Sequence, residues 1–310
     1  MIHLRVIAPP GLAVRVLELL ERRPSVINVV HLAGAARRPP GDVILCDVAR
    51  EDASVVIDEL RELGLDREGS IALETVDASI SAAAREAESA AAGSPADAVV
   101  WEEVESRTSE SVELSWTFLA FMLLATGIAA VGLLTDSLIL IIGAMVVGPE
   151  FGPLAGICVA VVERRLELAW RSLVATAAGF TAAIAATTLG TLALRAFDRV
   201  PETLGPHPAT LFISHPDLFT AIVALLAGVA GMLSLSTAKS GALIGVLISV
   251  TTIPAAANVG VAAAYGDWAE VAGAATQLGL NLVCIVVAGV ATLALQRALY
   301  RRRRAAALRS

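Results

Sequence analysis

The chain has 310 residues, 56% of them hydrophobic and only 17% charged, with a mean hydropathy of +0.73, a balance that excludes a wholly soluble globular protein. The net charge of −7 is unevenly spread: up to Glu113 there are 11 arginines against 21 acidic residues, a net of −10, and the remainder carries +3. An acidic soluble part is therefore joined to a nearly uncharged lipid-soluble one, and no nucleic-acid partner is expected of either.

In chain order, "MIHLRVIAPPGLAV" has no basic leader before an apolar core and a small-residue cleavage site, so no signal peptide is read and the first domain is expected to stay in the cytosol. Residues 1–78 alternate strand-like and helical runs: "HLRVIAP", "LAVRVLELLERR", "VINVVHLAG", the turn-forming "ARRPPGD", "DVILCDVA", "DASVVIDELRELG" with Asp52 as N-cap, and "SIALETVDA". This βαββαβ order predicts a ferredoxin-like domain, an α+β fold with two helices on one face of a four-stranded antiparallel sheet. Val14, Val16, Leu17, Leu19 and Leu20 form the apolar stripe of its first helix, and Val55, Val56, Leu60 and Leu63 that of its second. No phosphate loop, metal cluster or nucleophile with a base stands out. His3 and His31 read as structural or surface residues. Cys46, Cys158 and Cys284 fall in separate segments and suit neither a disulfide framework nor a metal site, so no cofactor is expected. Residues 79–114 form a cytosolic helical linker in which Val100, Val104, Thr108 and Val112 recur at a spacing of four beside Trp101.

Residues 115–300 predict an all-α polytopic membrane domain of six spans, at about 115–135, 137–162, 169–193, 217–237, 240–264 and 270–297, since roughly 20 helical residues cross the hydrocarbon core. With the N-terminus inside, the cytoplasmic connections are "ERRLE", "TAKS" and the basic tail at 301–310; they hold Arg164, Arg165, Lys239 and Arg301 to Arg304. The outward ones carry only Arg195 and Arg199, balanced by Asp198 and Glu202. Charge bias and the parity of six both put the two termini in the cytosol, in a cytoplasmic (inner) membrane. Trp116, Trp170, Trp268, Tyr265 and Tyr300 fall at span ends, as interfacial anchors do.

The second span breaks its own pattern at "IIGAMVVGPEFGPLAG" (141–156), where Gly148, Pro149, Glu150, Gly152 and Pro153 sit at mid-membrane. Each proline removes an amide donor and crowds the preceding turn, at about 3 kcal/mol in water. In lipid the freed carbonyls cost more unless protein or a wet cavity satisfies them. The break therefore predicts a protein-lined or wet site. Residues 123–145 and 225–247 align without a gap at an offset of 102, matching Leu123 with Leu225 and Gly143 with Gly245, and the extension sets Gly152 against Pro254. A repeat of three spans enters the membrane in opposite directions, giving a 3+3 inverted repeat with two broken helices. Glu150, Ser249, Thr251, Thr252, Pro254 and Asn258, together with Gln277 and Asn281 of the last span, are the candidate lining residues for a solute or ion. The competing reading is that the hydroxyls bond their own helices and the small residues only permit close packing.

"GLLTDSLILIIGAMVVGPEFGP" (132–153) and "LIGVLISVTTIPAAANVG" (243–260) resemble the two characteristic stretches of the prokaryotic membrane proteins known as domain of unknown function 389, the uncharacterised hydrophobic domain family. The resemblance covers roughly residues 110–300 and implies a fold and a membrane location without an activity. Many members are similar to Ser-Pro-Leu-Met-Gly-Pro where this chain reads Gly148 to Pro153, so Glu150 puts a charge where they have an apolar residue.

These observations point to a secondary transporter or ion pathway for a small solute, with the cytosolic domain as regulator or oligomerisation unit of a homo-oligomer in the lipid bilayer. The alternative is a membrane-anchored sensor or scaffold whose cytosolic domain binds a ligand or partner. No enzyme is expected, because no paired acid and base, zinc motif or ATP loop is present.

Overall fold

The computed structural model describes residues 1–76, 78–91, 93–94, 98–201, 213–214, 216–237 and 251–307. The chain divides into two compact units, one formed by residues 1–104 and the other by most of residues 105–303.

The first unit holds β1 (Ile2–Ala8), α1 (Pro10–Glu21), β2 (Val26–Arg37), β3 (Pro40–Val48), α2 (Ala53–Glu62), the single turn α3 (Leu65–Glu68), β4 (Ser70–Thr75) and α4 (Ala82–Ala90). The strands make one antiparallel sheet in the order β2-β3-β1-β4. Strict alternation along β1 buries Ile2, Leu4, Val6 and Ala8 on one face, which α1 and α2 cover with Ala13, Val16, Leu20, Val56, Ile57 and Leu60. Val14 lies outside the expected stripe, 63% exposed, because the buried face of α1 advances by three and four from Ala13 to Val16 and Leu20. Asp52 stands at the N-cap of α2, but its side chain makes no capping bond. The turn expected over 36–42 is shorter than the sequence suggests: Arg37 already pairs with Pro40, and a register shift between Leu32 and Ala36, with Gly34 at φ +61°, absorbs the difference.

Helix α5 (Trp101–Ser111) follows, and Val100 joins the sheet core. Val100, Val104, Thr108 and Val112 are all buried, as their spacing of four anticipates.

The second unit contains α6 (Trp116–Leu134), α7 (Leu138–Val147), α8 (Phe151–Glu163), α9 (Leu166–Ala196), α10 (Leu218–Ser236), α11 (Thr252–Tyr265) and α12 (Trp268–Ala307). Among the described residues four helices, α6, α9, α10 and α12, are long and apolar enough to cross a membrane, and α7 with α8 makes a fifth candidate bent by 49°. The first half of the predicted fifth span, with Ser249 and the "TAKS" turn at Lys239, lies outside the described residues apart from Thr237. Helix α11 is buried on almost every side. It packs on α6, α7 and α9, and small residues set the approach: a methyl at Gly260 would meet the Ile184 carbonyl oxygen at 2.9 Å. Large apolar side chains point outward instead, among them Leu124, Ile139, Leu189 and Leu226, as lipid-facing surfaces require. Trp116, Trp170 and Trp268 are exposed at their helix ends.

Candidate functional site

The local sequence dictates the break. Pro149 has no amide to return to the Met145 carbonyl, so α7 ends at Val147, with Gly148 in extended conformation. The chain restarts as α8 at Phe151, where the Gly152 amide donates to the Pro149 carbonyl at 3.3 Å. Pro153 is the third residue of α8, and Pro254 is the third residue of α11. Amides at that position lack helical partners in any case, so proline costs little there. Both prolines thus mark helix starts rather than helix interiors.

Glu150 and Thr251 are the residues preceding these two starts, and neither caps its own helix with its side chain. Both reach across to other helices. The Thr252 hydroxyl donates to Glu150 Oε1 at 2.7 Å. The partners are 102 residues apart, which is the offset read from the sequence alignment of 123–145 with 225–247. Thr251 Oγ1 accepts from the Gln277 amide at 2.9 Å and from the Asn281 amide at 3.1 Å, two side chains four residues apart on one face of α12. Glu150, Thr252, Gln277 and Asn281 are all buried. Two buried acceptors in this cluster have no partner, Glu150 Oε2 and Gln277 Oε1. Gly148 is required by the same geometry, because a methyl there would run into Glu150 Oε2 and would meet Ile253 Cγ1 at 2.7 Å.

Of the candidate lining residues, Gly148, Glu150, Thr251, Thr252, Gln277 and Asn281 are tied together by these contacts. Asn258 engages elsewhere: its amide donates to Glu270 Oε1 at 2.8 Å, in the first turn of α12. Sequence reasoning did not single out Glu270. Its signal was the Gly266-Asp267 helix start, where Asp267 Oδ1 accepts the Glu270 amide at 3.1 Å. Ser249 lies outside the described residues. Among the described residues no group of three or more His, Cys, Asp or Glu side chains could hold a metal.

Residues 145–287, which include both helix starts and the α12 amides, match the family described as Domain of unknown function (DUF389), so the resemblance read from the sequence holds over that stretch. An uncharacterized protein of Methanocaldococcus jannaschii is 24% identical over 192 residues, covering 62% of this chain and 58% of the relative. The chain thus spans less than two thirds of that relative's length. No solved structure matches.

Proposed function

We propose that the helical unit is a secondary transporter or ion pathway for a small solute. In this reading six spans form a 3+3 inverted repeat in the cytoplasmic membrane, with both termini in the cytosol. The substrate site lies at the bilayer midplane between two broken helices. The residue 1–78 domain, ferredoxin-like by its βαββαβ order, regulates the pathway or joins copies into a homo-oligomer. The protein is not an enzyme on this reading.

One observation carries it: two helix starts, each with proline in its first turn, meet through the Glu150–Thr252 bond between residues related by the repeat offset. Buried ionisable groups at membrane depth mark substrate and ion paths, and discontinuous helices at the interface of two repeats are where such sites are built. Thermal stabilisation of the purified protein over a metabolite and ion panel, followed by proteoliposome uptake of whatever stabilises, tests it. Glu150→Gln should insert and fold yet lose the response, and unchanged uptake by that variant sinks the reading. Impermeant cysteine labelling checks the topology: a cysteine at Arg164 should be protected from outside and one at Asp267 should react.

The sensor reading is favoured by a different contact set. Ser54 and Arg61 of α2 hold Glu102, and Arg50 holds Glu103, so a ligand that moved α2 would move the first turn of α5. Ligand response abolished by Arg50→Ala but untouched by Glu150→Gln would decide for it.

A further inference from the structure

We infer that the cluster around Glu150 binds a small monovalent cation, for which Na⁺ is the probe. The inference rests on reading the paired helix starts as a binding site, and it deepens that reading by naming the ligand. Both unpartnered buried atoms of the cluster, Glu150 Oε2 and Gln277 Oε1, are oxygens with lone pairs and no donor. They call for a ligand that is a cation or a donor and repel an anion. The Thr252 hydroxyl donates to Glu150 Oε1, which leaves its own oxygen lone pairs free to ligate, and Thr251 beside it holds the Gln277 amide. Pro149 also leaves the Met145 carbonyl without its helical donor, at the C-terminal end of α7, which is that helix's negative pole. Carboxylate, amide and hydroxyl oxygen together are the ligand set of a hard cation.

Charge and space narrow the choice. Glu150 is the sole charged side chain among Glu150, Thr251, Thr252, Gln277 and Asn281, so one positive charge leaves the cluster neutral, whereas a divalent ion would leave a net charge buried away from water. A methyl on Gly148 would overlap Glu150 Oε2, so on that side of the oxygen there is no room for an organic cation.

The test uses the purified full chain with NaCl, KCl or choline chloride at equal ionic strength. Na⁺ should raise the melting temperature saturably above the choline baseline. Gln277→Leu should weaken Na⁺ stabilisation by about tenfold or more while the protein stays folded in choline, and Glu150→Gln should abolish it. Equal melting of the parent in all three salts, stronger stabilisation by Ca²⁺ than by Na⁺, or a full Na⁺ shift in Glu150→Gln each overturns the assignment. If Glu150→Gln does not fold, the Gln277→Leu titration alone decides. Radioactive Na⁺ uptake into proteoliposomes separates the two ideas: a Na⁺ shift without flux keeps the cation site and ends the transport reading.

Discussion

Each unit buries a glutamate, and the two are treated in opposite ways. Glu102, in the first unit, is 9% exposed, takes the Ser54 hydroxyl at 2.7 Å and the Arg61 guanidinium at 3.2 Å, and lies in the first turn of α5, where a helix favours negative charge. Glu150, in the second, is 5% exposed and takes a single hydroxyl, with one oxygen unpartnered. A carboxylate held on several sides is structural. One left half-satisfied in a packed helix interface is an exception, since buried polar atoms are nearly always paired, and its free oxygen is the one the proposed cation would take.

Four substitutions break or sharpen this contrast. The largest effect is expected at Arg50, whose guanidinium is buried, donates to the Ala98 carbonyl at 3.3 Å and meets Glu103 Oε2 at 2.7 Å. Arg50→Ala removes the buried guanidinium that pairs with Glu103 and should destabilise the first unit by about 3 kcal/mol, read as faster hydrogen exchange throughout β1 and β3. Arg50→Met with Glu103→Leu should recover most of the loss. Gly148→Ala comes next: its methyl has no space beside Glu150 and Ile253, and it should cost about 1–3 kcal/mol in thermal melting while any ligand stabilisation disappears. Thr252→Val removes the hydroxyl that donates to Glu150 Oε1 and should cost about 1–3 kcal/mol, whereas Thr252→Ser keeps the hydroxyl and should cost less.

The smallest effect is a pH dependence at Glu102. Burial raises its pKa above the ordinary 4.5, against the lowering influence of the Ser54 hydrogen bond and Arg61. The folded state therefore holds this proton more tightly than the unfolded one. The associated stability is complete below 4.5 and is lost as pH rises through the folded value. Glu102→Gln should flatten the pH dependence of denaturation above 4.5, and an unchanged slope would show that the ionised form is fully compensated by its partners.

The periodic parts of the molecule were legible before the structure. Alternation in "HLRVIA" and the apolar spacings of α1 and α2 gave the strand and helix order, because burial on one face must follow the period of the element. Val14 was placed on the wrong face and the buried Ile57 was left out of its helix's stripe, since two apolar residues side by side leave the phase of a helix ambiguous by one position. The break at Pro149 was equally legible, for proline acts through its own covalent structure. Which side chains would meet there was legible only in part. The offset of 102 pointed toward Glu150 and Thr252, but the bonds from Gln277 and Asn281 to Thr251 depend on how α12 is rotated against α11, and nothing local in the sequence encodes that rotation.

The bond between Glu150 and Thr252 also bears on how such a chain could have arisen. If residues 123–153 and 225–255 descend from one duplicated segment, both positions began as the same amino acid. Two glutamates facing each other in a dry interface repel, and two threonines bond but carry no charge. Divergence to one glutamate and one threonine yields a complementary pair that neither copy could form with its twin. Once that happened the halves were no longer interchangeable, and a molecule that began with two equivalent sides acquired a fixed difference between them.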